Sequence, residues 1–230
     1  MAAAANLTQV FQELGPRFEA QTGIHPVFSF ASTAQLTQQI ENAAPFDIFV
    51  AADAQHVDAL ERKGLLFPGS EAVYAAGVLV LWIPPQSKAR IERLDNLASS
   101  PVRTIAIANP KLAPYGEAAV ETLKHLGIWD KVEPKIVYAE NISMAREYGK
   151  SGNADAVFTA YSLVLKDEGR IIQIPETLHE PIVQELGILA HANNINAARQ
   201  FASYLITGQG QTILAKSGYR APGELTRSAQ

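Results

Sequence analysis

Four junctions in this 230-residue chain carry residue types able to hold an anion: Asn6, Ser32-Thr33, Tyr115-Gly116 and Asn141-Ile142-Ser143. At each, small polar residues stand between a segment of strand character and one of helix character. The first turn of a helix has backbone N–H groups without intrahelical partners and the positive end of the helix dipole. Several such ends brought together make an anion site. Taken singly, each junction reads as an ordinary cap, since Ser, Thr and Asn are the preferred N-caps. The set says more. No Lys or Arg adjoins Asn6, Thr33 or Asn141, and Lys111 is the basic residue nearest the Tyr115 junction. An anion there would be gripped by neutral donors. Hydrogen bonds to a charged group contribute roughly 1.5–3 kcal/mol each. Five to seven of them, less desolvation, reach the roughly 8–12 kcal/mol of micromolar to nanomolar binding. Such a site selects by shape and by protonation, because a fully ionised oxyanion accepts from every donor and a protonated one does not.

The elements that must position these junctions follow from periodicity. Leu7, Val10, Phe11, Leu14 and Phe18 recur at helical spacing, and Gly23 ends that helix. Residues 25–30 read as a strand, Leu36 and Ile40 open a helix, residues 46–50 form a buried strand, and Val57 and Leu60 mark a third helix. Residues 78–83 are the strongest strand, ended by Pro84-Pro85. Further strands are read at 104–108, 135–138, 155–159, 171–174 and 184–189. Helices are read after Tyr115-Gly116 and at 142–148, 161–165, 197–205 and 208–214. Alternating strands and helices predict an α/β fold with mainly parallel sheet covered by helices. In such sheets the binding crevice lies at the carboxyl ends of the strands, where these junctions sit. The tail from Gly223 to Gln230 reads as polar and loose.

Composition excludes several classes. With no cysteine there is no disulfide, cysteine nucleophile, iron–sulfur cluster or cysteine zinc site. Lys+Arg number 19 against 23 Asp+Glu, a net charge of −4, with no basic cluster to serve nucleic acid. No apolar run of about 18 residues could cross a membrane, and Met1 to Asn6 has no basic start or leucine-rich core of a signal peptide. His25, His56, His125, His179 and His191 lack metal-ligand spacing. Asp47 and Asp53 flank a buried strand and read as turn and capping residues rather than an acid–base pair. There is no nucleophile elbow, P-loop or dinucleotide fingerprint. Tyr138, Tyr148, Tyr161 and Trp129 read as packing residues rather than an iron-binding tyrosine cluster.

Four motifs carry a resemblance: residues 3–8 (AAANLT), 29–33 (SFAST), 44–53 (APFDIFVAAD) and 108–116, with Ala108-Asn109-Pro110 and Ala113-Pro114-Tyr115-Gly116. In order and spacing they resemble the periplasmic molybdate-binding proteins of ABC transporters, along nearly the whole chain to about Tyr219. The resemblance implies a two-lobed type II periplasmic binding protein fold. Each lobe is a mainly parallel sheet flanked by helices, and the lobes close over one molybdate or tungstate. It implies a first lobe of residues 1–77 and 188–230 and a second of 78–187, with crossovers near Gly77-Val78 and Leu186-Gly187. Asn6 and Thr33, helped by the Ala5 and Ser32 amides, would hold the anion from the first lobe. Tyr115 and Ile142 would hold it from the second through backbone N–H groups, Tyr115 with its hydroxyl as a further donor. Some members use a tyrosine after the strand matching Val157-Phe158. Thr159 stands there, and either Thr159 or Tyr161 would replace that contact. Asn6 stands where many members have serine. The resemblance further implies a periplasmic monomer that is not an enzyme, needs no cofactor and holds metal only within the oxyanion. Its partner is a membrane permease, and it does not bind nucleic acid. Family members also have a strand before the alanine turn, and this chain begins at the turn, which predicts a destabilised first lobe or a vacant sheet position filled by another segment. The alternative reading is the effector-sensing domain of a transcription regulator, for which no helix-turn-helix segment is visible.

Overall fold

The structure, a computed structural model, describes residues 1–99 and 101–224. The expected loose tail lies for the most part outside the described residues. The strands, numbered in chain order, are β1 (Ala2–Ala4), β2 (Ser29–Ala31), β3 (Ile48–Val50), β4 (Ala72–Gly77), β5 (Leu79–Ile83), β6 (Ile105–Ala108), β7 (Ile136–Ala139), β8 (Ala156–Ala160), β9 (Arg170–Gln173) and β10 (Ile182–Ile188). The helices are α1 (Thr8–Thr22), α2 (Thr33–Glu41), α3 (Gln55–Arg62), α4 (Pro114–His125), α5 (Trp129–Val132), α6 (Ile142–Lys150), α7 (Tyr161–Val164), α8 (Ile195–Ile206) and α9 (Gly208–Lys216). They form two compact units, Met1–Gly77 with Ile182–Gln230 and Val78–Pro181.

The first unit is built on a five-stranded sheet of order β2-β1-β3-β10-β4. β1 runs parallel to both β2 and β3 (Ala2 against Ser29 and Phe49), and β10 runs antiparallel to β3 and β4. Two sequence expectations change here. The alanines at the start are not a turn lacking its strand. They are themselves a central strand, fully buried between two neighbours. Three alanines have low strand propensity and no apolar–polar alternation, so no pattern marks them; their small side chains fit a strand covered on both faces. The return crossing lies at Pro181-Ile182, upstream of Leu186-Gly187, because β10 pairs along its whole length within this sheet. One face is covered by an aromatic cluster of Phe11, Phe18, Phe28, Phe30, Phe201 and Tyr204, with ring centroids 4.9–6.4 Å apart. Leu36, Ile40, Phe49, Val57, Leu60 and Leu189 pack together in another buried cluster.

The second unit repeats the plan with sheet order β7-β6-β8-β5-β9. β6 is parallel to β7 and β8, and β5 is antiparallel to β8 and β9. Each sheet therefore has four strands running one way and a single strand, β10 or β5, running against them, and the three adjacent parallel strands carry the junctions at their carboxyl ends. Val80, Trp82, Ala106, Ala145 and Val157 fill the core under α6. Arg146 on α6 meets Asp167 through two N–H···O bonds of 2.6 and 2.7 Å, with only 13% and 16% of the two side chains exposed. Truncating one partner would leave a mostly buried charge, so this pair pins α6.

Candidate functional site

Each unit presents three strand ends, after β1, β2 and β3 in the first and after β6, β7 and β8 in the second. In the first unit, β1 runs into a 3-10 turn, Ala5–Leu7, before α1. Asn6 sits in that turn with 0% of its surface exposed. It is not a helix cap. Its Nδ2 donates to Gln184 Oε1 (3.0 Å) and to the Tyr219 hydroxyl (3.1 Å), and that hydroxyl donates to the Asn6 carbonyl (2.8 Å).

After β2, Ser32 caps α2 in a capping box. Its N–H and hydroxyl both donate to Gln35 Oε1, at 3.2 and 2.6 Å. Thr33, the first residue of α2, is buried, and its Oγ1 accepts the N–H of Ala52 at 3.3 Å. An oxygen that accepts there directs its own proton elsewhere, which leaves Thr33 a donor. After β3, the Ala51 carbonyl lies 2.8 Å from the Tyr74 hydroxyl, which is also 2.7 Å from Gln184 Oε1.

In the second unit the junctions are built from short-range bonds among neighbouring residues. Beyond β6, the Asn109 carbonyl accepts from Leu112 and Ala113 (2.9 and 3.0 Å), and its Oδ1 accepts from the Lys111 N–H (3.0 Å). Pro114 then opens α4, with Tyr115 buried in the first turn. A Cβ at Gly116 would run into the Ala108 carbonyl oxygen and stand 2.8 Å from its carbon. Gly116 thus lets α4 start directly on the end of β6. After β7, Asn141 Oδ1 accepts from Met144 N–H (3.0 Å) and caps α6, placing Ile142 at the first helical position. There an N–H has no intrahelical acceptor.

Thr159 lies near the carboxyl end of β8, opposite Val80 of β5 and with 0% exposure, and its Oγ1 has no hydrogen-bond partner among the described residues. Tyr161 opens α7, its N–H on the Val78 carbonyl at 2.9 Å. The site residues expected from sequence therefore fall on strand ends of the two units: Ala5, Asn6, Ser32 and Thr33 in one, Tyr115, Ile142 and Thr159 in the other. Gln184, Tyr74 and Tyr219 are functional candidates that the sequence reading missed. Gln184, beside Glu185, is a polar residue in a strand whose other members are apolar residues and a glycine, and that was the available signal.

Several carboxylates act on Glu185 in the first unit. Glu185, next to Gln184, has its pKa raised above the usual carboxylate value by burial first, then by Asp58, Glu71, Glu61 and Asp53. Asp47 accepts from the Asn194 N–H and Asp53 from the His56 N–H (2.8 and 2.9 Å), structural roles for both. Among the described residues no group of three His, Asp or Glu side chains could hold a metal ion, and no helix is long and apolar enough to cross a membrane.

Comparison with known proteins gives a consistent picture. Residues 1–220 match the family model described as bacterial extracellular solute-binding protein. The molybdate-binding protein ModA of Rhodobacter capsulatus is 36% identical over 219 residues, covering 95% of this chain and 86% of that protein. ModA of Azotobacter vinelandii is 35% identical over 228 residues, covering 95% and 88%. The solved periplasmic molybdate-binding protein of Azotobacter vinelandii has a TM-score of 0.89 at 33% identity, over 96% of this chain and 98% of that one.

Proposed function

From the premise that the chain belongs to the bacterial extracellular solute-binding protein family, we propose that it captures a tetrahedral oxyanion, molybdate or tungstate, in the periplasm and delivers it to the membrane permease of an ABC transporter. The observation that carries this reading is the repeated junction. In both sheets, parallel strands end in helix first turns lined by neutral donors with no lysine or arginine among them. The first unit would offer the Thr33 hydroxyl and the Ala5, Asn6 and Ser32 amides. The second would offer the Tyr115 and Ile142 amides and a hydroxyl from Thr159 or Tyr161. An anion oxygen at Ser32 would take the place that Gln35 Oε1 now fills.

A dianion accepts from all of these donors. A protonated oxyanion would present an O–H to donors that cannot accept, so the site favours an acid that is fully ionised at neutral pH. No covalent step, cofactor or nucleic acid enters, and one chain would carry one anion. Titration calorimetry with molybdate, tungstate, sulfate and phosphate tests the reading. Heat with molybdate and tungstate at one site per chain is expected; absence of heat with all four overturns it.

A further inference from the structure

The strand ends of the first unit are tied together by one buried hydrogen-bonded chain that none of the expected anion ligands explains. It runs from Tyr219 to Asn6, from Asn6 to Gln184, from Gln184 to Tyr74 and from Tyr74 to the Ala51 carbonyl; one residue on, the Ala52 N–H bonds Thr33 Oγ1. Asn6, Gln184 and Tyr74 are 0% exposed and Tyr219 is 5% exposed. Tyr74 and Gln184 come from β4 and β10, which pair antiparallel, and Tyr219 follows α9.

The proton accounting orients Asn6. The Tyr219 proton goes to the Asn6 carbonyl at 2.8 Å, so the Tyr219 oxygen must accept from the Asn6 side chain at 3.1 Å, and only Nδ2 can donate. The other Nδ2 hydrogen goes to Gln184 Oε1 at 3.0 Å. Both side-chain donors are spent inside the protein, and Asn6 can serve an anion only through its main-chain N–H.

We propose that Gln184 and Tyr219 are positioning residues for anion binding, acting through the Asn6 carboxamide, which anchors the β1–α1 turn so that its backbone amides face the ligand. This deepens the proposed function and rests on it. Tyr219→Phe keeps the ring and removes the hydroxyl; Gln184→Leu removes the acceptor. Each variant is expected to bind molybdate about tenfold more weakly, a loss of about 1.4 kcal/mol. Tyr204→Phe removes a buried hydroxyl that has no partner among the described residues and lies outside this network, and should leave affinity unchanged.

Two readouts separate positioning from general stability. In a double-mutant cycle, Gln184→Leu placed on Asn6→Ala should add little further loss of affinity, since its bond to Asn6 is made by the Nδ2 that alanine lacks. In amide NMR spectra, molybdate should shift the Asn6 backbone N–H and leave its Nδ2 hydrogens in place, and Tyr219→Phe should shift both signals before any ligand is added. Variants that melt earlier yet bind with wild-type affinity overturn the proposal, as does an additive double mutant. A wild-type protein that gives no heat with molybdate overturns the functional reading and this inference with it. Normal wild-type binding with unaffected variants overturns this inference alone.

Discussion

The two units share one strand order and differ in how they hold their junctions. In the first, buried side chains do it: Asn6, Gln184, Tyr74 and Tyr219 hydrogen-bond across β4, β10 and the two ends of the unit's sequence. In the second, short-range contacts do it: the Asn109 turn, the Asn141 side-chain cap and the direct seating of Gly116 on Ala108. A side-chain network requires particular polar residues from distant parts of the sequence. A short-range device requires a small residue and a short local turn. The units should therefore fail differently when damaged.

The largest effect is expected in the second unit. In Gly116→Ala the new methyl would overlap the Ala108 carbonyl, so α4 must slide off the end of β6 and take the Tyr115 amide with it. Overpacking of this kind costs about 3 kcal/mol. Misplacing a donor to a dianion should weaken molybdate binding on the order of 100-fold. Thermal melts together with calorimetry check both numbers; a stable variant of normal affinity would break the contrast. The matching test in the first unit is Thr33→Val. It removes the hydroxyl proposed to face the anion and the acceptor of the Ala52 N–H. A loss of about 10–30-fold in affinity is expected, with Thr33→Ser restoring most of it. Equal affinity of the Val and Ser variants would exclude the hydroxyl as a donor.

The same contrast accounts for what could be read from sequence. The second unit's strands announce themselves in apolar runs such as Val78 to Ile83, and its junctions are local, so Tyr115 and Ile142 could be placed from neighbouring residues alone. The first unit hides more. Ala2–Ala4 and Ala72–Gly77 are strands made largely of alanine and glycine, with little hydrophobic contrast. The partners of Asn6 lie 178 and 213 residues away in sequence. No spacing rule links such residues, since only the fold brings them together. Side-chain proton accounting at Asn6 needs coordinates for the same reason. The junction residues themselves were recoverable because each pairs a small polar residue with the first turn of a helix, a purely local signal.

Thr159 offers the finest test, because it is an expected site residue of the second unit that would act through its side chain alone. A buried hydroxyl with no protein partner costs about 1–3 kcal/mol of desolvation relative to a matched apolar group. Valine has nearly the same shape and no such cost. Without ligand, Thr159→Val should therefore melt about 2–4 °C higher, as expected for roughly 1 kcal/mol of added stability. If the hydroxyl donates to the anion, molybdate binding should weaken about tenfold in the same protein, so stability and affinity move in opposite directions. A purely structural threonine cannot produce that pair of signs. A higher melting point with unchanged affinity would remove Thr159 from the site and direct the search to the Tyr161 hydroxyl two residues on. The second unit would then hold the anion through Tyr115 and Ile142 amides with the Tyr161 hydroxyl in place of Thr159, which would sharpen its difference from the first.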